Sequence, residues 1–181
     1  MRLKRPYERV KYLSRNQSER IVPITRLIVI HCTEGQNLPG VSDLRNLGDW
    51  FNNPDAQASA HVGVDAAGNS AMYVPDARKA WHCARFNSVS LGIEMIGLST
   101  QKGWPDAQER KVAKYVAYWS QRYRIPIRKA KVDDAIGVVK SAGVATHSQL
   151  GVAGGNHGDP GPGFNMRRLL WLARYYRVKG W

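Results

Sequence analysis

The sequence predicts an α/β (α+β) fold, in which a central mixed, mostly β-sheet core is flanked by helices in a single domain. The first observation is the length, 181 residues, which suits one domain with its own hydrophobic core. The second is the composition, 43% apolar and 23% charged, which excludes a disordered chain. The third is that short β-rich runs and longer helical repeats alternate along the chain. The longest apolar runs have five residues, so no membrane span is predicted.

The first elements are a buried strand and a helix. Leu27–Ile30 is an apolar, β-rich run, and a turn signal follows soon after His31. This pattern predicts a central strand that carries His31 to the edge of a sheet. Val41–Asn52 has apolar residues at helical spacing and is followed by an Asn-Pro stop. It predicts a helix with Ser42 as its N-cap.

A hairpin and a further strand come next. Residues 60–65 and 70–75 flank an Ala-Ala-Gly-Asn turn, which predicts a β-hairpin. Val89–Ile96 alternates apolar residues with Ser, Gly and Glu. Successive strand side chains point to opposite faces, so Glu94 is predicted to face a cleft rather than the layer that receives its apolar neighbours.

The second half of the chain predicts two helices separated by less regular segments. Residues 106–123 carry an acidic start signal and an apolar stripe at helical spacing, which predicts the clearest helix. Residues 128–142 are predicted to be a charged connection without regular structure, and 143–147 a short strand or extended segment. Residues 151–163 are rich in Gly and Pro and predict a shaped loop. Asn165 is predicted to cap a final helix.

The net charge of +13 is concentrated in three segments. Residues 1–22, 107–131 and 167–181 carry net charges of +5, +7 and +5. Such an excess favours a polyanionic partner, whether nucleic acid, anionic lipid or bacterial wall polymer. No nucleic-acid-binding motif accompanies it, so nucleic acid is not the expected partner. The basic start is followed by polar residues instead of an apolar run, which predicts no signal peptide.

A set of nitrogen and oxygen donors recurs at predicted strand ends and in the Gly-rich loop. It comprises His31, His147, His157 and Asp159. A lone histidine is usually structural, but together these donors suit zinc, which needs three protein ligands when it is catalytic. Cys32 follows His31 on a strand and should point away from it, so it is interpreted as a buried small hydrophobe. A disulfide between the two cysteines stays open.

Six short motifs occur in a fixed order along the chain. They are Ile28–Gly35, Ser59–Asp65, Ala80–His82, Asn87 with Ser90–Glu94, Thr146–His147, and Asn156–Phe164. Together they resemble the zinc-dependent N-acetylmuramoyl-L-alanine amidases of the phage-lysozyme and peptidoglycan-recognition-protein type. The resemblance implies one Zn²⁺ per chain, bound by His31, His147 and Asp159, and a catalytic acid/base at Glu94. It divides the chain into a basic N-terminal extension, 1–22, and a catalytic domain, 23–181.

The resemblance also leaves the roles of several residues open. His157 stands where many relatives carry lysine or threonine. Two roles are weighed evenly for it: donating a hydrogen bond to the oxyanion, and supporting a metal ligand. Four further residues are predicted substrate contacts: His61, Trp81, His82 and Asn87. Core packing is an equal alternative for Trp81, and packing is the favoured one for His61. A structural ion pair is the alternative for Glu94.

The implied function is hydrolysis of the amide between N-acetylmuramic acid and the L-alanine of the stem peptide by zinc-activated water. Two neutral imidazoles and one carboxylate would leave the ion a net positive charge, enough to lower the pKa of water to roughly 7. We expect a phage or prophage endolysin that stays in the host cytoplasm until the membrane is permeabilised and then lyses the cell wall. The alternatives are a non-catalytic peptidoglycan-recognition module and a murein-recycling amidase acting on soluble fragments. Peptidoglycan is the expected partner, with anionic wall polymers held by the basic surface.

Overall fold

A six-stranded mixed sheet forms the centre of the protein in the computed structural model, which describes residues 2–21, 25–36 and 40–181. Its strands are β1 (Val10–Lys11), β3 (Leu27–Cys32), β4 (Val62–Val64), β5 (Ser70–Met72), β7 (Ser90–Met95) and β10 (Gly143–Thr146). Two small antiparallel pairs lie beside it, formed by β2 (Gln17–Glu19) with β6 (Arg78–Ala80) and by β8 (Lys131–Asp133) with β9 (Val138–Ser141). The helices are α1 (Ser42–Asn52), α2 (Asp106–Tyr123), α3 (Gly151–Gly154) and α4 (Met166–Lys179).

The strand order is β1-β5-β4-β7-β3-β10. The four strands β4, β7, β3 and β10 run parallel, whereas β5 is antiparallel to β4. The register places His31 opposite Glu94 and Thr146 opposite Ile30. The carboxyl ends of three neighbouring strands therefore meet at one edge of the sheet.

Side-chain alternation assigns each face of the sheet to a different layer. All six residues of β3 are buried, as expected of a central strand covered on both sides. Ile28 and Ile30 pack with the apolar faces of α2 and α4. Leu27 and Val29 pack with Phe86, α3 and the β8–β9 hairpin on the other face. These two layers enclose the hydrophobic core.

Most of the predicted elements are confirmed. The structure contains the strands predicted around 27–30, 89–96 and 143–147, and β4 pairs with β5 as the predicted hairpin. The long helix spans Asp106–Tyr123 as predicted. Asn165 caps α4, because its side chain accepts a hydrogen bond from the Arg168 backbone N–H.

Three local predictions are wrong. Ser42 is the first residue of α1 and not its N-cap, a position held by Val41 without a side-chain bond. Residues 128–142 contain the β8–β9 hairpin instead of an irregular connection. The Gly-rich segment 151–163 begins with the short helix α3. The disulfide that the sequence left open is not formed, since Cys32 and Cys83 are both free and buried.

The N-terminal segment is packed onto the sheet. β1 pairs with β5, and β2 pairs with β6. Leu3 is buried in the same cluster as α2 and α4. The boundary at residue 22 stays a prediction, and residues 22–24 lie outside those described. Among the described residues, the helices are all too short or too polar to cross a membrane.

Candidate functional site

Three neighbouring strands deliver side chains to the same edge of the sheet. His31 lies near the end of β3, and Glu94 lies opposite it on β7. His147 directly follows β10, the other neighbour of β3. Asp159 arrives from the segment between α3 and α4 and completes the group. The sequence-predicted donors His31, His147 and Asp159 are thus brought together, and all three are buried.

The donor atoms form a small triangle. The two Nδ1 atoms of His31 and His147 are 3.0 Å apart. Oδ1 of Asp159 is 3.0 Å from His147 Nδ1, and Oδ2 is 3.4 Å from His31 Nδ1. Tetrahedral zinc with bonds of about 2.0–2.1 Å separates its ligands by roughly 3.3 Å. Two imidazoles and one carboxylate at this spacing therefore fit a zinc ion, both in chemistry and in size.

Hydrogen bonds on the outer side of each ring orient the two histidines. His147 Nε2 donates to the carbonyl oxygen of Gly154 at 2.9 Å, which selects the tautomer of the neutral ring whose Nδ1 is free to bind a metal. His31 Nε2 lies 2.9 Å from His82 Nδ1, and His82 Nε2 lies 3.0 Å from Ser90 Oγ. If His31 donates to His82 and His82 donates to Ser90, the Nδ1 lone pair of His31 also faces the triangle. Such outer contacts fix the tautomer of a metal-binding histidine.

The backbone holds the Asp159 carboxylate in place. Its Oδ2 accepts a hydrogen bond from the Cys32 N–H at 3.1 Å, and its carbonyl accepts one from Ser148 N–H at 3.0 Å. Gly161 follows with φ +83°, and a Cβ there would lie 1.9 Å from the Ser99 carbonyl oxygen. Only glycine meets both conditions. The loop that carries Asp159 therefore depends on this residue for its close approach.

Local electrostatics keep the donors in the forms that bind metal. Burial lowers the pKa of His31 to about 4, so its ring is neutral at neutral pH. Burial alone would raise the pKa of Asp159, but the close His147 and His31 rings outweigh it and hold that pKa well below the ordinary value. Neutral imidazole and ionised carboxylate are the ligand forms of zinc.

Glu94 is placed to exchange a proton. Its Oε2 is buried and has no hydrogen-bond partner among the described residues. Burial, with a smaller contribution from the charge of Asp159, raises the pKa of Glu94 to about 8. A carboxyl group with a pKa near the working pH can both take up and release a proton during a reaction. No salt bridge to Glu94 is found within the described ranges, which argues against the structural alternative.

A cleft of about 410 Å³ opens over these residues. Four other predicted site residues line it: Trp81, His82, Asn87 and His157. The exposed ring of His157 stacks on His147, with ring centroids 4.5 Å apart and planes 16° from parallel. Trp81 is partly buried, and its Nε1 donates to Ser18 Oγ at 3.1 Å. One wall is therefore fastened to the N-terminal segment.

Asn87 and His82 shape the cleft through hydrogen bonds within the protein. Asn87 Oδ1 accepts hydrogen bonds from the backbone N–H groups of His82 (2.9 Å) and Cys83 (2.7 Å). This shapes the turn that presents His82. Because both ring nitrogens of His82 are engaged within the protein, its geometry favours orienting His31 over contacting substrate.

His61 is a correction to the predicted substrate contacts. It is fully buried and does not line the cleft. Its Nδ1 accepts from the Gly92 N–H at 2.9 Å, and its Nε2 lies 3.2 Å from the carbonyl oxygen of Arg78. Burial and the nearby Arg20 lower its pKa to about 3. His61 therefore ties strands together beneath His82.

Comparison with known proteins identifies the family. The family model described as N-acetylmuramoyl-L-alanine amidase matches residues 21–162. The chain belongs to this amidase family. The match includes every predicted site residue, from His31 to Asp159. It confirms the family resemblance carried by the six motifs.

One curated amidase is a partial relative. N-acetylmuramoyl-L-alanine amidase A of Achromobacter lyticus is 31% identical over 80 residues, which cover 44% of this chain. The chain spans about two fifths of the length of that relative, 41%.

Solved structures share the amidase-family fold. A selenomethionine derivative of AmpD aligns with a TM-score of 0.70 at 24% identity, covering 95% of this chain and 99% of the other. The Staphylococcus aureus hydrolase AmiA, in complex with its ligand, aligns at 0.71 and 19% identity, covering 99% and 90%. The endolysin LysCS of Clostridium intestinale URNW aligns at 0.63 and 14% identity, covering 92% and 94%.

Sequence reasoning missed two supports of the site in this amidase-family chain. Ser90 and the carbonyl of Gly154 contact His82 and His147, but a hydroxyl and a backbone oxygen carry no pattern that marks them. Gly92 offered a signal. A Cβ there would lie 2.7 Å from His82 Nδ1, and glycine inside a strand often marks such a close approach.

Proposed function

We propose that the protein is a zinc-dependent amidase that hydrolyses the bond between N-acetylmuramic acid and the L-alanine of the peptidoglycan stem peptide. One observation carries the proposal: three buried donors form a zinc-sized triangle at the sheet edge where Glu94 stands opposite His31. Membership of the amidase family supports the same bond as the target.

His31, His147 and Asp159 would hold the ion. When bound, zinc would supply Lewis acidity that activates water and polarises the amide carbonyl. The protein's own contribution is the fixed direction of the two Nδ1 lone pairs and the ionised state of Asp159.

Glu94 would carry the proton in this reaction. Amide hydrolysis needs a base for water and an acid for the departing nitrogen, because an amine anion is a very poor leaving group. Glu94 lines the cleft, and its Oε2 atom has no partner among the described residues, so this carboxyl group can hold the proton taken from water and return it to the nitrogen. His157 would donate a hydrogen bond to the oxyanion from the cleft wall.

The cleft walls support a substrate with a sugar and a peptide part. Trp81 offers an aromatic surface held by Ser18, and Asn87 shapes the turn that directly follows it. Retention on anionic wall polymers by the basic surface is a further part of this proposal. Exposed charges are screened beyond roughly 8 Å at physiological ionic strength, so wall binding should weaken in several-hundred-millimolar salt.

The decisive experiment is digestion of purified murein with the full chain, followed by mass spectrometry of the products. We expect new L-alanine amino termini, loss of their release with a chelator, and recovery on adding zinc. The variant Asp159→Ala should bind little zinc and release nothing. Release of sugar reducing ends, or cleavage within the stem peptide, would contradict the proposal.

The same samples separate the alternatives. A zinc-loaded protein that binds murein without releasing amino termini would be a recognition module. Rapid cleavage of soluble fragments with little action on crosslinked murein would favour a recycling amidase over a lytic one. A phage endolysin released from the host cytoplasm by membrane permeabilisation stays our proposal for the lytic case.

A further inference from the structure

The outer face of α4 carries an exposed stripe of large apolar side chains. Trp171, Tyr175 and Val178 expose 61%, 49% and 75% of their surface. Their spacing of four and three residues places them on one side of the helix. The rings of Trp171 and Tyr175 stack with centroids 6.1 Å apart, so the stripe is continuous. Trp181, just beyond the helix, is 45% exposed.

Packing of the helix does not account for this stripe. The core side of α4 is already supplied by other residues, namely Leu169, Leu172, Ala173 and Tyr176, which are buried with α2 and the sheet. Single exposed apolar residues are common, but an ordered row of three on the solvent side of one helix marks an interaction surface.

Basic side chains flank the stripe on both sides. At about 100° per residue, Arg167 and Arg174 lie along one side of it and Lys179 along the other. Residues 165–181 contain five basic side chains and no acidic one. The acidic groups that form ion pairs with α4 belong to α2: Asp106 is engaged with Arg110 and Arg168, and Glu109 with Arg168. The surface around the stripe is therefore positive.

The neighbouring elements extend this positive surface. Lys114 of α2 lies 5.3 Å from the ring centroid of Tyr176 on α4. Arg2 and Lys4 line a cleft with Lys111, Lys114 and Trp181. The fold thus brings together the three basic segments of the sequence, which are far apart along the chain.

Aromatic rings and an aliphatic side chain bordered by Arg and Lys form the pattern of a surface that lies in a membrane interface. The cations meet lipid phosphates, and the rings enter the headgroup region. A soluble polyanion would be attracted to the cations but would make no favourable apolar contact with Val178 or the ring faces. We propose that the outer face of α4 docks on an anionic lipid bilayer.

The docked orientation leaves the cleft accessible. α4 packs on the sheet face that receives Ile28, Ile30 and Leu91. His31 and Glu94 alternate with these residues and project from the opposite face. A bilayer under α4 would therefore lie on the far side of the sheet from the candidate site.

The test is co-sedimentation of the full chain with two kinds of vesicle, phosphatidylcholine alone and phosphatidylcholine with about one third phosphatidylglycerol, at low and high salt. We expect binding to the anionic vesicles, with a part that persists at high salt because it depends on apolar contact. The triple variant Trp171→Ser, Tyr175→Ser, Val178→Ser should lose about tenfold or more of the affinity and all of the salt-resistant part.

Two controls keep the result specific. Trp50→Ser removes a tryptophan of similar exposure, 55%, on α1 and should bind like the parent. Circular dichroism and the melting temperature should show that the triple variant is folded. A folded triple variant with unchanged vesicle binding would overturn the proposal. Two other results would also overturn it: complete loss of parent binding at high salt, and equal affinity for a soluble poly(glycerol phosphate). Either result would show that the surface binds through charge alone. The assay requires no amidase activity, so its outcome is independent of whether the proposed reaction is correct.

Discussion

The side chains of the candidate site divide into those carried by the sheet and those carried by the segment before α4. His31, Glu94 and His147 stand at the ends of adjacent parallel strands, where the hydrogen-bond register fixes their separation. Asp159 and His157 lie on an irregular segment, positioned by single hydrogen bonds, a ring stack and a close glycine contact. The sheet-borne group has few ways to move, whereas the loop-borne group depends on individual contacts. Apart from loss of a proposed metal ligand, the largest functional effects should therefore come from the sheet-borne group and its supports.

Among residues outside the proposed metal-ligand set, Glu94→Gln should give the largest effect. The amide keeps the shape of the side chain but cannot take up a proton, so we expect kcat on soluble muropeptide to fall by about 10²–10⁴-fold. Zinc content, measured by metal analysis, should be unchanged. Glu34→Gln is the matched control, because Glu34 is an exposed acid near the end of β3 and does not line the cleft. Equal losses in the two variants would refute a proton-transfer role for Glu94.

His82→Ala should come next, through its contact with His31. Removing the partner of a metal-binding histidine typically lowers metal affinity by about 10–100-fold. The measurement is competition for zinc with a chelator of known affinity, which does not depend on catalysis. Unchanged affinity would mean that the strand alone orients His31.

The pH dependence of the metal-free protein tests the buried groups directly. The pKa of Glu94 is about 8 when folded and 4.5 in the unfolded reference, so the folded state holds an extra proton between these values and loses stability as pH rises through them. His31 and His61 have folded pKa values of about 4 and 3 against 6.5, so they remove stability as pH falls below 6.5.

We therefore expect denaturant-measured stability of the metal-free protein to peak near pH 6.5. It should then fall by about 2 kcal/mol toward pH 8, at 1.36 kcal/mol per unit. The variant Glu94→Gln should lack the alkaline decline and keep the acidic one. A decline of the same size in that variant would show that Glu94 does not cause it.

His157→Ala should give the smallest effect. The ring is exposed and only stacks on His147, so we expect zinc affinity to change little and kcat to fall by less than about tenfold. Measuring both quantities separates the two roles considered for this residue. A zinc affinity lower than that of His82→Ala would reverse the ranking of sheet-borne and loop-borne residues.

The sheet-borne part of the site was accessible to prediction from sequence. Leu27–Ile30 is an unambiguous buried strand, and the alternation in Val89–Ile96 sets Glu94 on the face away from α2. Parallel strands end at one edge, so His31 and Glu94 come together once both strands are recognised. Local periodicity and topology suffice for this inference.

Other features depend on contacts between distant segments. The β8–β9 hairpin is partly exposed and has too few apolar residues to show alternation. The four residues of α3 have poor helix propensity, and buried Ala153 ties this turn to the core. His61 projects toward the same face of the sheet as Glu94, but Arg20 from the N-terminal segment lies 3.2 Å from its ring. No local sequence pattern predicts that Arg20 covers the His61 ring.

The hydrogen bonds around Asp159 and the two histidines have one more consequence. Each donor is held by the polypeptide itself: Asp159 by the Cys32 N–H, His147 by Gly154 and His31 by His82. A cation that binds there does not have to order the polypeptide. Its binding free energy therefore does not drive folding, as it does in a zinc finger. Dialysis should thus yield an intact apoprotein, into which cobalt or manganese can be introduced and compared at the same three ligands.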